Sequence, residues 1–236
     1  MPQPHIVKSF DDELYRLHDI VVRMGRLAEE QLVEALAALG KGESARARRV
    51  IEGDAKIDEL ERGAEEQALR LLALRQPMAK DLRAIVSALK IVSHIERIAD
   101  YAKNVAKRTI ALGKLPVIPT ATGLSDVGAA ALSMVKEIVD AYNTGHADKA
   151  IEVWTRDKQL DDLYTALVRE LLAQMVEDAR TTTACVHFLA IAKNLERIGD
   201  HATDIAEDVH FIATGRRLDA ERPKGGSEMD LTNEAG

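Results

Sequence analysis

Acidic residues four apart recur in pairs along this chain: Asp54 with Asp58, Glu96 with Asp100, Asp157 with Asp161, and Glu196 with Asp200. On a helix that spacing sets both carboxylates of a pair on one face, about 6 Å apart. Two carboxylates at that distance repel by roughly 3 kcal/mol at an effective dielectric of 20, so four together need protons, solvent or cations. All-oxygen ligand sets suit hard ions such as Mg, Mn, Ca or Fe, often in carboxylate-bridged clusters. Taking Val50, Ile57, Ala64 and Leu71 as the a positions of a heptad places Asp54 at e and Asp58 at b; Val92 and Ala99 do the same for Glu96 and Asp100. Acids at b and e flank an apolar seam, where they are ordinarily a solvated rim. Cation binding and plain solvation are both open on spacing alone.

A repeat bears on the choice. Residues 89–106, LKIVSHIERIADYAKNVA, align without gaps on 189–206, LAIAKNLERIGDHATDIA, with eight of eighteen positions identical. Unrelated helical segments of this composition would share roughly one or two. GDAKIDEL at 53–60 aligns with RDKQLDDL at 156–163. Drift scatters ordinary surface charge between copies, yet all eight acids persist, which favours a shared task. The second copy continues with Asp204 and Asp208 where the first has Asn104 and Arg108. The second site is therefore expected to carry more negative charge and hold cations more tightly, with Asp204 among its ligands.

The elements that position these acids follow from proline and glycine punctuation. Prolines occur only at 2, 4, 77, 116, 119 and 223, and proline breaks helix interiors. Glycines at 40 and 42, 113, 145 and 215 mark helix ends. Six long helices result, over about 10–39, 43–75, 78–112, 124–143, 146–178 and 182–214. Ser9 with Asp12 reads as a capping-box start for the first. Ile85, Ala88, Val92, Ile95, Ala99, Ala102 and Ala106 form a helical-period stripe. The fold class is all-α: two tandem three-helix bundles from an internal duplication, at 10–113 and 122–215. A short segment, 1–9, precedes them and a polar tail, 216–236, reads as disordered.

Composition narrows the function. The 236 residues are 46% hydrophobic, 30% charged and 3% aromatic, which disfavours strand-rich folds. A net charge of −7 lacks the basic excess of a nucleic-acid binder. The single cysteine, Cys185, precludes an intramolecular disulfide and reads as a buried small hydrophobe on an apolar face. With no signal pattern and no apolar run long enough to span a bilayer, the expectation is a cytoplasmic protein. No GxxxxGK[ST] or GxGxxG occurs, and no nucleophile stands with a base, so no enzyme is expected.

The strings RQPMAKDLRAIVSALKIVSHIERIADYAKNVA and LERIGDHATDIAEDV make this chain resemble the PhoU family, regulators of bacterial phosphate uptake. The resemblance covers about residues 10–215. It implies tandem three-helix bundles whose E(D)xxxD motifs hold divalent or trivalent metal ions (Fe, Mn, Mg, Zn or Ca), matched here by Asp54 and Asp58 with Glu96 and Asp100, and by Asp157 and Asp161 with Glu196 and Asp200. It also implies a cytoplasmic adaptor between the ATPase subunit of the phosphate ABC transporter and a phosphate-sensing histidine kinase. Such a protein damps uptake and starvation-gene expression, self-associates as a homodimer, and lies near the membrane only through its partners.

Two other readings compete. A helical interaction scaffold without metal would keep the partners and leave the acids as rim charge. A ferritin-like di-iron carboxylate enzyme needs two Glu-x-x-His motifs; only Glu207 with His210 fits, and the repeat has Lys107 and Ile110 there. His94, His187 and His201 lack metal-binding counterparts in the other copy and read as packing or surface residues, with His201, beside Asp200, a candidate supplementary ligand. Arg97 and Arg197 read as bridges between helices, and Arg46, Arg48 and Arg49 as a solvated basic cluster able to orient the chain near anionic lipid or an acidic partner.

Overall fold

The computed structural model describes residues 4–115, 123–218 and 225. The helices are α1 (Pro4–Lys41), α2 (Ser44–Arg75), α3 (Ala79–Leu112), α4 (Gly123–Thr144), α5 (Ala147–Thr155), α6 (Asp157–Glu177) and α7 (Thr182–Thr214), with one 3₁₀ turn at Ala179–Thr181. No strand occurs among the described residues. α1, α2 and α3 pack together as one bundle, and α4, α5/α6 and α7 as the second. The chain is all-α, as its punctuation predicts.

Two boundaries differ from the sequence reading. α1 begins at Pro4, so Ser9 lies inside the helix; proline is accepted in a first turn because the N–H it lacks would have no partner there. The helix expected over 146–178 is broken at Arg156 into α5 and α6. The Arg156 guanidinium donates to both carboxylate oxygens of Glu137 on α4, at 2.6 and 2.7 Å. Most of the connection expected between the helices ending near 112 and starting near 124, and most of the tail, lie outside the described residues.

The two bundles meet along α3 and α7, and also where α1 crosses α4. At that second seam Gly25 approaches Val139 and Gly128 approaches Leu36 so closely that an added Cβ would fall 2.9 and 2.8 Å from those side chains. Gly25 and Gly128 are equivalent positions in the repeat, so each copy offers a flat spot to the other. One core runs through both halves, including Met24, Leu32, Ile57, Ile91 and Ile98 with Met134, Ile138, Leu160, Ile191 and Leu195. Burying each such side chain is worth about 1.5–3 kcal/mol. Among the described residues α2 packs only on α1 and α3, and α6 packs on no helix of the first half. The α2/α3 and α6/α7 faces that carry the acids therefore lie to either side of the central α3–α7 seam. Among the described residues no helix is long and apolar enough to cross a membrane.

Candidate metal centres

The first acidic group lies between α2 and α3. Ile57 is fully buried, and packing it into the seam fixes the direction in which Asp54 and Asp58 on either side of it point. The ammonium of Lys103 bridges the helices, 2.5 Å from Asp54 Oδ2 and 2.5 Å from Asp100 Oδ1. Burial alone would lower the Lys103 pKa, but its bonds to Asp100 and Asp54 outweigh burial, raise it, and keep the group charged. The Glu96 carboxyl is pushed up by burial and then by the charge of Asp100, with Glu61 adding to both. Glu61, one turn beyond Asp58 on α2, is itself raised by burial, then by Glu65 and Asp58. The structure thus joins Asp54 to Asp100 through Lys103 and sets Glu61 near Glu96, with Asp58 one turn before Glu61 on α2; Glu61 and Lys103 are residues that the repeat hides. Their counterparts are Tyr164 and Thr203, so a search for what both copies share passes over them.

The second group lies between α6 and α7 and is built differently. The break at Arg156 places Asp157 in the first turn of α6, where the helix dipole favours a negative charge, and Asp157 is buried. Gly199 stands where the first copy has Ala99, and a Cβ there would collide with the Leu160 side chain. The missing methyl lets α6 settle onto α7 beside Asp161. The Asp161 carboxyl is pushed up to about 6, foremost by burial, then by the charges of Asp157, Glu196 and Asp200, against a backbone hydrogen bond from Gly225. The Gly225 N–H donates to Asp161 Oδ2 at 3.1 Å. Glu196 Oε1 accepts from Lys193 Nζ at 2.7 Å, while Glu196 Oε2 is buried with no hydrogen-bond partner among the described residues. In place of Lys103 this copy has Thr203, fully buried, whose hydroxyl donates to the Asp200 carbonyl at 2.7 Å.

Asp204 and Asp208 point elsewhere. Asp204 Oδ2 lies 3.6 Å from His94 Nδ1 and 3.6 Å from His201 Nδ1, and the two imidazole nitrogens are 3.0 Å apart. Asp208 accepts from Ser87 Oγ at 3.3 Å and lies 3.6 Å from Lys90 Nζ. Both acids therefore serve the α3–α7 seam. Burial holds the His94 imidazole below its usual range, against an opposing pull from Asp204. From sequence alone His94 reads as a packing or surface residue and only His201 as a candidate ligand, whereas the structure sets both against Asp204.

Residues 21–109 and 124–209 each match the model of the PhoU domain. The chain belongs to the PhoU family. It is 46% identical over 221 residues to the phosphate-specific transport system accessory protein PhoU homolog of Caulobacter vibrioides, covering 93% of this chain and 96% of that one. The homolog from Rhizobium meliloti is 42% identical over 237 residues, covering 100% and 98%. The crystal structure of PhoU from Pseudomonas aeruginosa superposes with a TM-score of 0.86 at 38% identity, over 88% of this chain and 100% of that one. That from Streptococcus pneumoniae gives 0.82 at 30% identity, over 89% and 100%. These relatives are accessory and regulatory proteins, so PhoU membership supports a role in regulating phosphate transport and sets the di-iron enzyme aside.

The remaining candidates fall into place as PhoU scaffold. Cys185 is fully buried, its thiol near Gln174 and Thr181. The Arg197 guanidinium lies over the Tyr101 ring, 5.7 Å from its centre, which joins α7 to α3. Arg97 stays largely exposed beside Glu96. In the basic cluster, Arg46 is clamped to Glu34 of α1 by hydrogen bonds of 2.7 and 2.9 Å.

Proposed function

We propose that this chain is a negative regulator of phosphate uptake and of the genes induced by phosphate starvation. It acts in the cytoplasm as an adaptor between the transporter's ATPase subunit and a phosphate-sensing histidine kinase. Family membership over nearly the whole chain supports the role, since its relatives are named accessory proteins of phosphate-specific transport. In a strain lacking the gene, starvation genes stay on in phosphate-rich medium; normal repression there would overturn the proposal.

The adaptor carries metal ions at its acidic groups. The observation that supports this most directly is the buried Glu196 Oε2, without a hydrogen-bond partner among the described residues, in a group with Asp161, Asp157 and Asp200. A buried carboxylate oxygen left without a donor is costly, and a hard cation removes that cost. In the second half Asp157, Asp161, Glu196 and Asp200 would hold the ion; in the first, Asp54, Asp58, Glu96 and Asp100. The ion supplies positive charge that ties one helix to the next. Lys103 bridges Asp54 and Asp100 across the two helices of the first group, whereas Lys193 pairs with Glu196 on its own helix in the second, so the second takes up ions more tightly. Elemental analysis of the purified protein, repeated on Glu196→Gln with Asp200→Asn, tests this: bound metal falls in the variant. Equal metal content would leave the acids as a solvated rim on a scaffold.

A further inference from the structure

We propose a third, chemically distinct metal site on the α3–α7 seam, formed by His94 of α3 with His201 and Asp204 of α7, which takes a borderline divalent transition ion such as zinc or cobalt. It stands independently of the all-carboxylate groups, which offer no nitrogen donor. The geometry is the first argument. His94 Nδ1, His201 Nδ1 and Asp204 Oδ2 form a triangle with edges of 3.0, 3.6 and 3.6 Å. The point equidistant from three such atoms lies about 2.0 Å from each, which is the bond length of zinc to imidazole nitrogen and carboxylate oxygen. A direct hydrogen bond explains only the short edge. At 3.6 Å each imidazole lies at ion-pair range of the Asp204 oxygen and beyond hydrogen-bond length, and that oxygen is equally far from both.

The surroundings support the same reading. The Tyr101 ring stacks on His201 at 5.8 Å and 19°, and Arg197 lies over Tyr101 in turn, so the imidazole that must present Nδ1 is held in orientation. All three ligand side chains are only partly exposed, His94 at 26%, His201 at 20% and Asp204 at 36%. An ion would therefore be held against the protein with open positions toward solvent, the arrangement of a two-histidine, one-carboxylate site. None of the three ligands is shared by the repeat: the counterparts are Asn194, Tyr101 and Asn104. This centre is thus separate from the duplicated motif. Because its ligands come from both bundles, filling it clamps one half of the molecule to the other.

The test is cobalt(II) and zinc titration of the purified, chelator-treated full chain in excess magnesium, which occupies the carboxylate groups. The expected result is one tight cobalt site with absorption bands of nitrogen ligation, displaced by zinc, and a zinc-dependent rise in melting temperature. His94→Asn copies the residue of the other half and keeps the fold by circular dichroism; it lowers affinity at this site by more than the roughly 10 to 100-fold that losing an outer partner costs. His201→Ala does the same. Asp157→Asn with Asp161→Asn leaves the cobalt spectrum unchanged, so failure of the carboxylate sites and failure of this one read out separately. Equal affinity in wild type and His94→Asn, or cobalt bound with oxygen ligation only, overturns the proposal and leaves an imidazole pair joined by a hydrogen bond.

Discussion

Lys103 of α3 reaches Asp54 of α2 with its ammonium 2.5 Å from the carboxylate, and Thr203 stands at the equivalent place in the other copy. Two halves that share every motif acid therefore place their cations differently: Lys103 spans both helices of the first group, and Lys193 meets Glu196 in the second. We predict that Lys103→Thr frees the first group to take up cations more tightly. A unit charge about 5 Å from a divalent ion opposes it by about 1.7 kcal/mol even in bulk water, so removing Lys103 raises cation affinity at the first group at least about tenfold. Without metal the variant melts lower, and added divalent ion restores it. Calorimetric titration reads the first effect; an unchanged affinity would show that Lys103 does not compete with the ion.

Gly199 is the second point of difference. Restoring the methyl of the first copy, Gly199→Ala, drives a Cβ into Leu160. Overpacking of this kind costs about 1–3 kcal/mol, and here it also pushes α6 away from α7 at Asp161. Urea denaturation should show the loss of stability, and cation affinity at the second group should fall with it. A variant as stable as wild type would mean that Leu160 yields without moving the helix.

The pH dependence follows from Asp161, whose pKa rises from 3.8 to about 6 in the fold. A carboxyl that binds its proton more tightly when folded stabilises the protein below its unfolded pKa, and that contribution is lost as pH rises through the folded value. In chelator, the melting temperature of wild type should therefore fall between about pH 4 and 6 relative to Asp161→Asn. Cation binding shows the opposite trend: protonating Asp161 weakens it below about pH 6. Parallel melting curves for the two proteins across this range would remove Asp161 as the titrating group.

Trp154 is the single tryptophan, nearly buried, with its indole N–H donating to Glu207 at 3.2 Å, and it lies one turn before Asp157. Filling the second group should change its emission, and filling the first should not. Titration followed at the tryptophan should lose its signal in Asp157→Asn with Asp161→Asn but keep it in Asp54→Asn with Asp58→Asn. Retained signal in the former would place the emission change elsewhere.

Much of this molecule was legible in sequence because helix periodicity and helix ends are local properties. The stripe from Ile85 to Ala106 is buried as its spacing requires, and α7 spans the residues that its flanking loop and Gly215 mark off. The duplication pointed to the paired acids because two copies of one helix face must meet equivalent neighbours. It was silent about whatever the copies do not share. Glu61 and Lys103 were missed for that reason, and His94 was set aside because its counterpart is Asn194. Asp204, read from sequence as an extension of the second acidic group, turns instead to the α3–α7 seam.

By itself, then, the sequence determined the helices, the repeat and the faces on which acids lie, since each rests on spacing within one segment. Tertiary structure decided which faces meet. Lys103 between Asp54 and Asp100, Gly199 under Leu160, and His94 opposite His201 depend on how helices far apart in the chain are pressed together by burial of a common core. That burial is non-directional, so the precise partner across a seam is fixed only when every side chain in the core is packed at once.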